Sequence, residues 1–197
     1  MDLQDPPRSR PCLVTIGATA GFNSLISATL HPTFLAALRD AHYTELIIQY
    51  GKEGQAIFNG YLSRLSNTDF GVKITGYDFK EKGMMLHMAK IRDKGGVVIS
   101  HAGSGSIMDA LHVEATLIVV PNPALLNNHQ VELAEALADM EYLVHGKLED
   151  LSTALRDADR LQRRHKEWPP VNSGEPPAGH SGRNISYVMD QEMAWLD

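Results

Sequence analysis

The fold is decided by a stretch in the middle of the chain, Gly96-Val97-Val98-Ile99-Ser100-His101-Ala102-Gly103-Ser104-Gly105-Ser106. Its first half is an apolar, β-branched run typical of a buried strand, and its second half is a loop of Gly and Ser. Residues 107–113 predict a helix, and residues 117–121 predict another strand that a proline ends. Strand, loop, helix and strand in this order form a βαβ unit, so the sequence predicts an α/β fold.

The same alternation of strands and helices extends over most of the chain. Other strands are predicted where β-branched and apolar residues run together, at 12–16, 45–50, 72–77 and 142–144. Other helices are predicted where apolar residues recur at helical spacing, at 23–42 with a break at Pro32, at 84–91 and at 128–140. The first two strands lead into glycine loops, at 17–21 and 51–54. This pattern predicts a mostly parallel sheet.

Composition separates one folded domain from less regular ends. Residues 1–11 are charged and rich in Pro, which predicts a flexible N-terminus without a secretory signal. The alternating pattern covers 12–158, and 197 residues with 43% hydrophobic content suffice for one such domain. The charged and then Pro, Gly and Ser-rich stretch 159–184 is predicted to be a linker. Apolar residues on one side of 185–197 predict a short C-terminal docking helix.

Charge and cysteine content exclude several classes of function. A net charge of −6 argues against nucleic acid as a partner, because no broad basic face is available. Cys12 is the one cysteine, so no intramolecular disulfide and no thiolate metal cage can form, and a reducing cytosolic setting is expected. No apolar run approaches the roughly 20 residues needed to cross a bilayer, so any membrane contact is expected to be peripheral.

The loop after the central strand is the strongest candidate for a binding site. Glycines allow close approach of the backbone, Ser104 and Ser106 offer hydroxyls, and the following helix presents N–H groups and a positive dipole end. A diphosphate would fit there, although a tight turn with a serine N-cap explains the same letters. Asp109 lies near the loop, where it could accept hydrogen bonds from ribose hydroxyls or simply be a solvated surface residue.

A second polar segment follows the next strand. Residues 121–130 include Asn127, Asn128, His129 and Gln130, which should lie at the same carboxyl edge of the sheet. Amide side chains suit sugar hydroxyls because each offers a donor and an acceptor, although one of the asparagines could be only a helix cap. The first glycine loop lacks both the Walker lysine and the dinucleotide fingerprint, and the histidines show no paired metal spacing, so no metal is expected.

Four motifs resemble, in order, those of a known family of transferase subunits. They are Val14-Thr15-Ile16-Gly17, Leu46-Ile47-Ile48-Gln49-Tyr50-Gly51, Ile99-Ser100-His101-Ala102-Gly103-Ser104-Gly105-Ser106 and Asn127-Asn128-His129-Gln130-Val131-Glu132-Leu133-Ala134. Over residues 13–155 the chain resembles the soluble catalytic subunits of the eukaryotic UDP-N-acetylglucosamine transferase acting on dolichol-linked N-acetylglucosamine. It is also similar to the C-terminal domain of glycosyltransferase family 28, which includes the bacterial transferase of the lipid-linked peptidoglycan precursor.

The resemblance implies a fold and a division of labour. The fold would be a Rossmann-like, mostly parallel sheet with helices on both faces, equivalent to the C-terminal half of a GT-B glycosyltransferase. The chain would bind UDP-N-acetylglucosamine without a further cofactor and add the second GlcNAc (β1,4) to GlcNAc-diphosphodolichol in N-glycan precursor synthesis. A membrane-anchored partner subunit would bind this lipid-linked acceptor and recruit the chain from the cytoplasm to the cytosolic face of the endoplasmic reticulum.

The resemblance also implies which residues contact the UDP-sugar. Thr19 would approach the donor phosphate, the run Gly103, Ser104, Gly105, Ser106 would hold the diphosphate, and Asp109 would take the ribose. Gly17 and His101 are further expected UDP-sugar contacts, although His101 could also be a loop residue whose hydrogen bonds are satisfied within the protein. Tyr77, Asp78 and Phe79 fall where the bacterial enzyme closes on the uracil, and Asn128, His129 and Gln130 lie toward the sugar. Two departures from the family pattern are Asp109, where Glu is common, and Gly17-Ala18-Thr19-Ala20, where Gly-Thr-Thr is more usual.

The expected reaction is an inverting transfer, in which the acceptor 4-hydroxyl displaces UDP and the helix N-terminus stabilises the leaving diphosphate. The catalytic base is unassigned, with His129 as a candidate. A nucleotide-binding regulatory module without catalysis is the alternative that the loops alone leave open. A free-standing epimerase or hydrolase would need a complete acid and base pair within the chain, and the sequence offers none.

Overall fold

A computed structural model describes residues 9–17, 21–66, 68–78, 83–124 and 129–167. The predictions for Thr19, Phe79, Asn127, Asn128, the side chain of His129 and the helix at 185–197 concern positions outside this described part of the chain. Residues 1–162 form one compact unit, which holds the sheet, and residues 163–197 form a second. Of the second unit, the structure describes residues 163–167, which are helical.

Strands and helices alternate along the described chain. In order they are β1 (Pro11–Thr15), α1 (Asn23–Thr29), α2 (Pro32–Asp40), β2 (Glu45–Gln49), α3 (Gly51–Leu65), β3 (Lys73–Tyr77), α4 (Met84–Asp93), β4 (Val97–His101), α5 (Ser104–His112), β5 (Leu117–Val120), α6 (His129–Asp139), β6 (Val144–His145), a 3-10 turn (Leu148–Asp150) and α7 (Leu151–Glu167). The predicted βαβ unit corresponds to β4, α5 and β5, and its loop is shorter than expected because α5 begins at Ser104.

The six strands found among the described residues pair in parallel, in the order β3-β2-β1-β4-β5-β6. The chain therefore moves outward from β1 through β2 to β3, crosses back, and continues outward on the other side from β4 to β6. β1 lies at the centre, paired with β2 on one side and β4 on the other, and all of its residues are buried. A central parallel strand covered on both faces is expected to be mainly apolar, as the run Cys12, Leu13 and Val14 is, and Thr15 is its polar last residue.

Two layers of helices cover the sheet. On one face, the core joins alternate strand residues such as Val14, Ile48 and Ile99 to side chains from α1, α2, α3 and α7. α4 and α5 pack against each other and against the strands, α4 on β1 and β4, and α5 on β4 and β5. Among the described residues, no helix combines the length and the apolar character needed to span a membrane.

Two helices depart from the predicted pattern. Residues 51–54, predicted as a loop, are the first turn of α3, because Gly51 adopts a φ of 62° that lets the chain turn from strand to helix within one residue. Residues 159–167, assigned to a linker, instead belong to α7. The buried positions of α7 recur at helical spacing up to Leu161, and its charged residues other than Asp159 are more exposed.

Candidate nucleotide-binding site

The candidate site lies where the chain reverses direction across the sheet, between β1 and β4. The loop after β1 runs toward β2, whereas the loop after β4 runs toward β5, so the two loops diverge and leave a crevice at the carboxyl edge. In open parallel sheets, ligands bind at this switch point. The two glycine-containing stretches singled out in the sequence, at Gly17 and at Gly103, both lie here.

The start of α5 provides the local positive charge of this crevice. Gly103 is the N-cap residue, and Ile107 N–H donates to its carbonyl at 3.1 Å. Within the described chain no side chain caps this helix end, and its first turn carries no acidic residue. Its first N–H groups therefore lack intrahelical acceptors and point out of the helix, where an anion can bind them. Ser104 and Gly105 are exposed, so this end is open to solvent.

His101 fills the space between the two loops. A Cβ added to either Gly17 or Gly103 would overlap its imidazole ring, so both positions require glycine for steric reasons. Gly17 also has a φ of 77°, which disfavours other residues. Burial lowers the pKa of His101 from its ordinary value of 6.5, and a hydrogen bond to the Thr15 backbone partly opposes this. The ring is therefore neutral near pH 7, and the positive charge at the site comes from the helix N-terminus.

The other predicted site residues are distributed along the same edge of the sheet. Asp109 is half-buried on α5, in the turn that follows Ser104 to Ser106. Gln130 lies in the first turn of α6, and its Oε1 is buried without a hydrogen-bond partner among the described residues. α6 begins at His129.

Tyr77 lies on the β3 side of the sheet, two strands away from β1. It ends β3 and shares a register row with Gln49, Thr15 and Ser100, three strands and so roughly 14 Å from β4. Its hydroxyl contacts His87 Nδ1 at 3.0 Å, and burial raises the pKa of Tyr77 to about 12. A ligand that reached both Tyr77 and α5 would therefore have to extend across the edge of the sheet.

Buried polar residues at this edge were not predicted as functional. Thr15, Gln49, Ser100 and Asn122 are each at most 7% exposed, and each stands at or just past the end of a strand. Asn122 Nδ2 donates to the Gly21 carbonyl at 3.4 Å, which links the loop after β5 to the loop after β1. The sequence signal for such a buried polar residue is its place directly after an apolar run, as Gln49 follows Leu46-Ile47-Ile48.

A parallel sheet of this strand order, with glycines after β1 and β4 and with no side-chain cap from the described residues on the helix at its switch point, defines a Rossmann-like α/β domain. Residues 11–171 match the family described as glycosyltransferase family 28 C-terminal domain. The chain belongs to this family.

Relatives in several fungi are similar over most of this chain. They are named UDP-N-acetylglucosamine transferase subunit ALG13, and that of Cryptococcus neoformans is 34% identical over 175 residues, covering 80% of this chain and 84% of the relative. The Saccharomyces cerevisiae protein is 31% identical over 153 residues, covering 66% of this chain and 74% of its own. The Candida albicans protein is 31% identical over 174 residues, or 75% of this chain, and this chain spans 59% of its length.

Solved structures agree with the fold. A solution NMR structure of ALG13 superimposes with a TM-score of 0.60 at 27% identity, covering 88% of this chain and 92% of that one. Acinetobacter baumannii MurG superimposes with a TM-score of 0.56 at 18% identity, covering 82% of this chain and 46% of MurG. The predicted fold class, equivalent to the C-terminal half of a GT-B glycosyltransferase, and the family resemblance are both confirmed.

Proposed function

We propose that this chain is the donor-binding catalytic subunit of a two-subunit UDP-N-acetylglucosamine transferase. The acceptor is GlcNAc-diphosphodolichol, and the product carries a second GlcNAc in β1,4 linkage. The observation that carries the proposal is the N-terminus of α5, which no side chain of the described residues caps and which lies beside Gly17 and His101 at the switch point of the sheet. Membership of the glycosyltransferase family and the naming of its relatives as transferase subunits support it.

The donor is held mainly through its diphosphate. The N–H groups of Ser104, Gly105 and Ser106 donate to the phosphate oxygens, and the neutral ring of His101 packs against Gly17 and Gly103 beside them. Asp109 accepts hydrogen bonds from the ribose hydroxyls. Gln130, with its buried and unpartnered Oε1, accepts a hydrogen bond from a sugar hydroxyl.

The remaining predicted donor contacts are to the phosphate and to the two ends of the nucleotide-sugar. Thr19 is assigned to the phosphate, Tyr77 to the uracil side, and Asn128 and His129 to the sugar. The position of Tyr77 on β3 supports an extended donor, lying along the carboxyl edge from β3 toward α5 and α6.

The chemistry is a displacement at the anomeric carbon of the donor. The acceptor 4-hydroxyl forms the new glycosidic bond as the bond to the diphosphate breaks, which inverts the anomeric configuration. The electron pair of the broken bond goes to UDP, and the dipole and N–H groups of α5 stabilise the charge that grows there. The hydroxyl proton goes to a general base at the junction with the partner subunit, for which His129 is the candidate on this chain.

The partner subunit supplies the acceptor half of the enzyme. It is anchored in the membrane, binds the lipid-linked GlcNAc, and holds this chain at the cytosolic face of the endoplasmic reticulum. The naming of the fungal relatives as subunits supports a partner.

The proposal is tested by incubating the full chain with UDP-[³H]GlcNAc and a GlcNAc-diphosphate lipid in detergent. The assay is run with and without the membrane subunit. We expect lipid-linked chitobiose only when both subunits are present, with the β1,4 linkage read from NMR of the released disaccharide. UDP-glucose, which lacks the N-acetyl group, is the control donor. Binding of UDP without turnover in the presence of the partner would identify a regulatory module, and absence of UDP binding would reject both functions.

A further inference from the structure

A buried polar pair joins the two strands that precede the glycine loops. Thr15 and Gln49 stand opposite each other in the register of β1 and β2, and each is 1% exposed. The Thr15 hydroxyl donates to Gln49 Oε1 at 2.7 Å. Each residue follows an apolar run and is the last of its strand, so both lie at the carboxyl edge of the sheet.

The same pair holds the backbone of the first glycine loop. Gly17 N–H donates to Thr15 Oγ1 at 3.3 Å, and Gln49 Nε2 donates to the Gly17 carbonyl at 3.3 Å. Gly17 is therefore bound through both its N–H and its carbonyl. These two bonds, together with the packing of His101 against the residue, select the positive φ that Gly17 adopts.

The amide of Gln49 also reaches the loop after β3. Its Nε2 donates a second hydrogen bond, to the Asp78 carbonyl at 3.1 Å, and that carbonyl also accepts from Gly51 N–H at 3.2 Å. One buried side chain thus connects the ends of β1, β2 and β3. Because an amide has two donor hydrogens and an acceptor oxygen, no apolar residue and no carboxylate can make the same three bonds.

An apolar pair at these two positions would pack in the core equally well. Burial of a hydroxyl and an amide costs free energy, and their hydrogen bonds only offset that cost. Valine and leucine at the same positions would stabilise the fold by burying apolar surface. What the polar pair adds is geometry, since buried hydrogen bonds select one arrangement of the groups they join.

We propose that Thr15 and Gln49 are positioning residues, which hold the loop containing Gly17 in the conformation that receives the donor diphosphate. The inference rests on the proposed function, because it assigns Gly17 to the donor site. Neither residue touches the donor itself. Through Asp78, Gln49 also sets the distance between the diphosphate side and the β3 side of the site.

The test compares UDP binding to the full chain and its variants by isothermal titration calorimetry. Thr15→Val and Gln49→Leu, which remove the bonds to Gly17, should each weaken binding about tenfold or more, because misplaced binding groups are costly. Thr15→Ser keeps the hydroxyl and should restore most of the affinity. In the assembled enzyme, Thr15→Val should raise the KM for UDP-GlcNAc and leave the KM for the lipid acceptor unchanged.

Thr29→Val is the matched control. Thr29 is 0% exposed, and its hydroxyl donates to the Leu25 and Ile26 carbonyls at the far end of α1, so the change removes the same buried group away from the loop. It should lower the melting temperature about as much as Thr15→Val does and leave UDP affinity unchanged.

Two results overturn the inference and are distinguishable from failure of the proposed function. If wild type binds UDP and Thr15→Val binds it equally well, the pair does not position the loop. If Thr29→Val weakens binding as much as Thr15→Val, the effect is one of general stability. If Gln49→Leu does not fold, the Thr15→Val and Thr15→Ser pair decides. Failure of wild type itself to bind UDP would reject the proposed function instead.

Discussion

The two edges of the sheet use their polar groups in opposite ways. At the amino edge, Arg10 donates to the Gly95 carbonyl at 2.9 Å, to the Ala41 carbonyl at 2.7 Å and to Asp159 at 2.7 Å. Its guanidinium also lies 4.0 Å from the centre of the Tyr43 ring, whose hydroxyl donates to Asp159 at 2.8 Å. Burial raises the pKa of Tyr43, so this hydroxyl keeps its proton and remains a donor.

At the carboxyl edge, several polar groups lack partners. Asp78 Oδ1 and Gln130 Oε1 are buried without a hydrogen bond to any described residue. In the part of the chain that the structure covers, no side chain caps the N-terminus of α5. An unpaired buried polar atom costs roughly 1 to 3 kcal/mol, so this edge is less stable than a fully paired one would be.

The comparison assigns stability to the amino edge of the sheet and ligand binding to its carboxyl edge. The amino edge closes its hydrogen bonds within the protein and ties the start of β1 to α7 through Arg10 and Asp159. The carboxyl edge leaves donors and acceptors that a ligand can pair with. Changes at the amino edge should therefore alter the stability of the protein, and changes at the carboxyl edge should alter nucleotide affinity.

The largest effect is expected for Gly103→Val at the carboxyl edge. The backbone there has a φ of −80° and a ψ of 129°, which valine adopts freely, so overlap of its side chain with His101 is the main penalty. Displacement of the loop should weaken UDP binding about 100-fold, measured by calorimetry, because small shifts of binding groups are costly.

A second substitution tests the cause of that loss. Adding His101→Ala to Gly103→Val removes the ring that the valine would overlap, and should recover part of the affinity. Gly60→Ala is the control, because a Cβ at Gly60 in α3 meets no atom within 4 Å. Wild-type affinity in Gly103→Val would place the nucleotide away from the start of α5.

An intermediate effect, on stability alone, is expected for Asp159→Asn at the amino edge. The side chains of Arg10 and Asp159 are 24% and 19% exposed, so the lost charge leaves a largely desolvated guanidinium without its counter-ion. We expect a loss of about 2 kcal/mol in the free energy of unfolding, and a melting temperature lower by about 4 to 8 °C.

Asp93→Asn is the matched control for Asp159→Asn. The ion pair of Asp93 with Arg92 is exposed, with side chains 63% and 41% accessible, and exposed pairs contribute at most about 1 kcal/mol. UDP affinity should be unchanged in both variants. A loss of affinity in Asp159→Asn comparable to that of Gly103→Val would mean that the two edges are coupled.

The smallest effect is the pH dependence that His101 contributes to stability. Because its pKa in the folded protein lies below the ordinary value of 6.5, the unfolded chain binds the proton more readily. The stability from the neutral ring is therefore present above pH 6.5 and is lost as the pH falls below that value. Urea unfolding of wild type and His101→Gln, between about pH 5 and 8, measures the difference.

Wild type should lose more stability than His101→Gln on acidification, because glutamine does not titrate and the other histidines are common to both proteins. Equal slopes would indicate that the His101 ring is not held in its neutral form. If UDP affinity falls on acidification in wild type and not in His101→Gln, protonation of His101 also affects nucleotide binding.

Much of the fold could be predicted from local patterns. Residues 96–106 have the strand and loop character that the structure places in β4 and at the start of α5, and Pro32 separates α1 from α2 as its missing N–H requires. α3 and α7 were not predicted. The glycines in the first turn of α3 suggest a loop, and the charges in the second half of α7 suggest a linker, until burial of their apolar sides is known.

The sequence by itself determined the parallel α/β class and the glycine loops, because strand and helix periodicity and glycine content are local properties of the chain. Only the tertiary structure decided that Gly17 and Gly103 face each other across His101, and that Thr15 and Gln49 form one buried pair. These contacts join residues distant in sequence, and they follow from which strands become neighbours in the sheet, which no local pattern records.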